Sequence, residues 1–251
     1  MSRHTRLVVF GLGALGVGTL FVLAFLVMPP FGGHFHPYRD HSIPAAVRHG
    51  TANVVSSINF DQRGLDTLAE ESILLASVVA VSILLRPSDD ERVVTGRDAG
   101  RVLDSTLLGA VVMVPVTMLI GFDVIAHGAL TPGGGFQGGV VLGTGVHLAY
   151  VGGTSRFFHR LRPVRPFEWG EAIGAGAFAC VGIAGVFAGG AFLQNMLPTG
   201  AFGTLFSSGT VPVLNAAVGV EVASGVIVLV SCFLAQTVLE QRGHHNSGDR
   251  R

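Results

Sequence analysis

Apolar residues run along this chain in six long blocks, near 7–28, 67–86, 104–126, 135–152, 170–191 and 211–239. Each is long enough for a helix to cross ~30 Å of hydrocarbon, which takes about 20 residues. The pattern therefore predicts an all-α integral membrane protein with six transmembrane helices. The first block follows Arg3 and Arg6, as a signal peptide would. It is longer than a usual leader core, and no small-x-small cleavage site precedes Met28-Pro29-Pro30, so it reads as an uncleaved span.

The charges between the blocks give an orientation. All 16 basic residues are arginine. With the N-terminus inside, the inner segments hold Arg3, Arg6, Arg86, Arg92, Arg97, Arg101, Arg156, Arg160, Arg162, Arg165, Arg242, Arg250 and Arg251, which is 13. The outer segments hold Arg39, Arg48 and Arg63. Positive charge resists translocation, so both termini are expected in the cytoplasm of a bacterial or archaeal cell, and an odd number of spans would scramble the pattern. The most charged stretch, 86–103, divides a two-span unit from a four-span unit. The expected domains are 1–90, 91–240 and a polar tail, 241–251, expected to be disordered.

Composition narrows the function. The chain is 49% hydrophobic and 13% charged, with zero net charge. Soluble domains carry about 25% charged residues, so the balance points to a membrane and gives no basic surface for nucleic acid. Cys180 and Cys232 lie inside apolar blocks and read as reduced packing residues. His34, His36, His41 and His49 lack regular metal-ligand spacing, so no metal is expected. No nucleophile–base pair or cofactor motif stands out. No cofactor and no enzymatic site of the chain's own are expected.

Two kinds of residue carry the candidate chemistry. The first is the run "ALTPGGGFQGGVV", residues 129–141. Pro132 ends a segment, and Gly133 and Gly134 allow a tight turn. Gly135, Gly139 and Gly143 recur every four residues, with Gly138 beside them, and leave a groove where another helix can pack closely. Gly185 and Gly189 repeat the device. The run also suits an irregular backbone lining a wet cavity at a membrane entrance. It does not suit a phosphate loop, since neither a strand before it nor Lys-Ser/Thr after it is present.

The second kind is ionisable. Glu221 and His147 each lie about ten residues into a span, roughly 15 Å below the outer face. Such groups are expensive in a bilayer and mark ion paths, although both also suit hydrogen-bonded core positions. Asp66 and Glu70, one turn apart, offer oxygens to a hard cation, or Asp66 caps its helix. Glu71 points to another face and reads as interfacial. Asp123 and His127 either form the lip of an entrance or are simply solvated. Pro115 is expected to kink the third span.

The stretch "HGALTPGGGFQGGVVLG", residues 127–143, closely resembles the signature of the MnhB/MrpB subunit of multi-subunit sodium/proton antiporters, and residues 100–240 look like that subunit throughout. Residues 53–86 resemble the MbhE-like region at the C-terminal end of the large antiporter subunit MrpA. There an Arg-Gly-Phe-Asp-Thr-Leu-Gly-Glu pattern enters a span. Here it reads Arg63-Gly64-Leu65-Asp66-Thr67-Leu68-Ala69-Glu70. The resemblance implies a membrane subunit of an Mrp-type monovalent cation (Na+)/proton antiporter, or of a related membrane-bound hydrogenase or complex I-like assembly. Its partners would be large antiporter-like subunits and small membrane subunits. Within such an assembly the chain either lends groups to an ion path or serves as a scaffold. An autonomous carrier is disfavoured, because no internal repeat is evident.

Overall fold

The computed structural model describes residues 3–28, 32–85, 103–152 and 165–248. The charged stretch dividing the expected two-span and four-span units therefore lies outside the described residues, except for Leu103. The described residues are nearly all helical, with no strand among them. In chain order they form α1 (Arg3–Val27), α2 (Pro37–Arg48), α3 (Val54–Ser57), a π-helical turn (Ile58–Gln62), α4 (Gly64–Leu84), α5 (Asp104–Ala126), α6 (Gly135–Gly152), α7 (Arg165–Phe187) and α8 (Val211–Gly248). The protein is an all-α, multi-pass membrane protein. Among the described residues five helices are long and apolar enough to cross a bilayer: the segments 7–27, 64–84, 104–126, 165–187 and 211–234. The glycine-rich α6 has 18 residues, about 27 Å of helix. α8 continues as helix to Gly248, into the tail expected to be disordered. Pro115 lies within α5.

The chain forms two compact units, residues 1–41 and 42–251. In the first unit, α1 is apolar on every side and buries none of its span, as a helix meant for hydrocarbon or a partner does.

In the second unit α8 is the central helix, packed against α4, α5, α6 and α7. Small residues on its neighbours make this possible. A Cβ on Gly135 would stand 2.5 Å from the Asn215 carbonyl oxygen and 2.6 Å from the Val218 Cβ. One on Gly139 would stand 2.8 Å from the Val222 Cβ, and one on Gly143 3.0 Å from a Val226 methyl. On the other side of α6, Gly138 meets Ile125 and Gly145 meets Met118, so α6 lies between α5 and α8 with glycine towards both. α7 reaches α8 by the same means: a Cβ on Gly174 would stand 2.6 Å from the Glu221 Cβ.

One end of this unit is closed by connecting segments. Asn53 caps α3, accepting from the Val55 and Ser56 amides, and its Nδ2 donates to the Gly128 and Thr131 carbonyls at 2.8 Å each. Ser208 Oγ donates to the Gly50 carbonyl at 3.1 Å, and the Ser208 amide donates to the Thr199 carbonyl at 2.8 Å. Beneath this polar layer Phe60, Phe178, Leu193, Val211 and Leu214 form a buried apolar core, with the Phe60 and Phe178 rings 6.2 Å apart.

Candidate ion-path site

The glycine turn is held from α8. The Gly135 amide, an unpaired donor at the start of α6, donates to Asn215 Oδ1 at 2.9 Å. The Asn215 Nδ2 donates to Ser56 Oγ at 3.0 Å and to the Val211 carbonyl at 3.1 Å. One fully buried amide thus ties α3, α6 and α8 together. Gly128 and Gly134 face the same Asn215 oxygen so closely that a Cβ on either would stand 2.9 Å from it. Glycine is needed here because the backbone approaches a side chain that must keep its bonds.

Deeper in the unit three helices each contribute a buried carboxyl. Glu71 on α4 is 1% exposed, Glu171 on α7 is 3% exposed and Glu221 on α8 is 0% exposed. Glu71 and Glu221 lie within hydrogen-bonding reach of each other, and Glu171 acts on Glu221 through their charges. Both oxygens of Glu71, both of Glu221 and Oε1 of Glu171 find no donor among the described residues. Burying a carboxylate without a donor or counter-charge is costly, several kcal/mol by most estimates, so proteins rarely do it without a functional reason.

The other expected residues fall elsewhere. Asp66 is exposed and forms an ion pair with Arg63, one turn earlier; its side chain does not cap α4. Glu70 is exposed on the surface of α4. Glu71 corrects the interfacial reading: it turns into the bundle while Glu70 turns out. Asp123 and His127 pair at 2.8 Å at the end of α5, Asp123 exposed and His127 half-buried. His49 meets Asp61 at 2.5 Å. His147 follows Gly135, Gly139 and Gly143 at the same four-residue spacing and lies against the Ile227 backbone of α8. Glu221 faces away from it, towards α4 and α7. At about 100° per residue, the α8 face met by α6 (Val218, Val222, Val226) is well rotated from the face holding Glu221 and Gly225. The two groups therefore do not meet across one helix pair.

A family described as a domain related to the MnhB subunit of Na+/H+ antiporter matches residues 106–228. This segment belongs to the MnhB-related family. Among relatives of the MnhB-like chain, an uncharacterized protein of Methanocaldococcus jannaschii is 27% identical, over 92% of this chain and 93% of its own length. A probable K(+)/H(+) antiporter subunit of Rhizobium meliloti is 30% identical over 58% of this chain, which is only 17% of that much longer protein. Two solved structures share the fold. A chain of the membrane-bound sulfane sulfur reductase, an archaeal respiratory membrane complex, superposes with a TM-score of 0.70 and 27% identity, covering 92% of this chain and 98% of that one. A chain of the Mrp complex from Dietzia sp. superposes with a TM-score of 0.67 and 22% identity, covering 92% of this chain but 26% of that one. The MnhB match contains Glu171 and Glu221 and leaves Glu71 outside it, so the carboxyl cluster joins the family domain to the helix before it.

Glu171, Glu71 and Asn215 are the residues that reading the sequence missed. Glu168, Glu171 and Gly174, spaced by three, share a face of α7 and were the available signal.

Proposed function

We propose that the MnhB-like chain is a membrane subunit of an Mrp-type antiporter assembly, moving a monovalent cation against protons, and that it supplies part of the ion path. The observation that supports the path is the set of buried carboxyls on α4, α7 and α8, five of whose six oxygens find no partner among the described residues. A purely structural subunit has no need of them, since apolar side chains of similar volume pack at lower cost. The chain's own part is transport; any redox chemistry belongs to partner subunits. Both termini lie in the cytoplasm, by the arginine asymmetry. The partners are large antiporter-like and small membrane subunits, and they cover surfaces such as the exposed Glu70 and Asp66.

A second reading has an observation of its own. The chain matches one chain of the archaeal respiratory complex end to end, but only a quarter of the matched Mrp chain. That favours a respiratory-type assembly in which electron transfer on other subunits drives the same membrane module. Purification of the tagged chain from its native membranes, in mild detergent, separates the readings. Antiporter-like subunits alone, with proton flux on adding sodium or potassium to vesicles, support the antiporter. Iron–sulfur or other redox subunits in the same particle support the second reading. A chain that purifies alone and transports alone contradicts both.

A further inference from the structure

We propose that Glu71 and Glu221 form a single proton-binding site, one proton held between two carboxyls, which exchanges with one end of the bundle through Glu171 and Glu168. This rests on the ion-path reading above and names the site where the proton is held.

The pair is defined by its partners. The two carboxyls reach each other, and among the described residues no other group donates to any of their four oxygens. Two carboxylates offer only acceptors to one another, so the contact becomes a hydrogen bond only when one of them carries a proton. Two negative charges side by side in a dry interior repel strongly, and one proton removes the repulsion while supplying the donor. The charged groups acting on these carboxyls are themselves carboxyls: Glu70 beside Glu71, and Glu168 beside Glu171. His147 lies against α8 at Ile227, on the α6 side. Among the described residues no group of three or more His, Cys, Asp or Glu side chains is placed to hold a metal ion.

Glu171 supplies an independent observation. It is 97% buried, since it is 3% exposed, and its Oε1 has no partner. It faces Gly225, where a Cβ would stand 3.3 Å from that oxygen. Gly225 is one turn beyond Glu221, on the side away from the closed end of the unit. Glu168 follows one turn further towards the start of α7 and is exposed. The carboxyls thus step from the surface to the pair: Glu168, Glu171, then Glu221 with Glu71. In the other direction Phe60, Phe178, Val211 and Leu214 fill the space with carbon. A proton leaving the pair passes to the Glu171 carboxylate and then to Glu168 and water. A proton arriving retraces the same oxygens, so each step only moves one proton between carboxyls.

The test uses the intact complex in its native membranes. Dicyclohexylcarbodiimide, an apolar reagent that adds to protonated carboxyls, is applied over a pH series and the adducts are located by peptide mass spectrometry. The expected result is one adduct per chain, on Glu71 or on Glu221. No adduct on either residue, or both residues modified in the same chain, overturns the proposal. In vesicles, Glu71→Gln should assemble and lose most of its proton flux, while Glu171→Gln should slow flux yet keep the adduct. Normal flux from assembled Glu71→Gln overturns the shared site even where Glu221→Gln is inactive, which would leave Glu221 in the path alone. Should Glu71→Gln fail to assemble, the adduct count in the unaltered complex decides.

Discussion

At Gly174 an added methyl would stand 2.6 Å from the Glu221 Cβ and 2.7 Å from the Ala217 carbonyl, whereas at Gly176, two residues on, nothing lies within 4 Å. The same substitution should therefore behave differently at the two positions. Gly174→Ala should lower the stability of the detergent-solubilised protein by about 1–3 kcal/mol, the usual range for overpacking. Gly176→Ala should be neutral or slightly stabilising, since alanine is the better helix former. Equal melting temperatures for both variants would contradict the close α7–α8 packing. Asn215 is the polar counterpart. Asn215→Ala strands the buried Gly135 amide and removes the bond to Ser56. It should cost about 1–3 kcal/mol through the unsatisfied donor. A thermal melt unchanged from the unaltered protein would remove Asn215 from the account of the glycine turn.

At the scale of helices, the long apolar blocks were legible because hydrocarbon length leaves little choice. The expected blocks 104–126 and 135–152 coincide with α5 and α6; the first, second and fifth shift by a few residues at their ends, and the last runs on as helix to Gly248. Which face each helix turns inward was not legible. Glu70 and Glu71 are neighbours, about 100° apart around α4, and hydropathy treats them alike. The π-helical turn at Ile58–Gln62 also lies just before α4, so the facing of the preceding segment does not project onto it. Glu171 was hidden differently. The apolar block begins near residue 170 and puts Glu171 at its edge, but α7 starts at Arg165 and carries it a full turn further in. Asn215 could not be singled out without knowing that the glycine turn meets α8. The orientation of these helices is testable in a cysteine-free background. A cysteine at Thr204, in the exposed stretch 200–206, should react with a membrane-impermeant reagent from outside, and one at Ser88 should not. Ser42 is unsuitable as a reporter, being 2% exposed. Labelling at Ser88 from outside would contradict the arginine-based topology.

At the scale of the whole molecule, the chain combines a densely packed glycine-lined bundle with polar groups that no described neighbour satisfies. The packing explains α5, α6 and α8; it does not explain the three buried carboxyls on α4, α7 and α8. Their position joins the MnhB-related domain, residues 106–228, to the preceding helix, so the two resembling segments of the sequence meet at the proposed path. The most direct measurement is cation-driven proton flux in membrane vesicles from cells in which the chain is replaced by Glu221→Gln, with assembly of the complex checked by co-purification. Glutamine keeps the shape of the side chain but cannot take up or release a proton. The ion-path account predicts a fully assembled complex that has lost most of its flux across the pH range. An assembled Glu221→Gln complex with the flux of the unaltered one would contradict it.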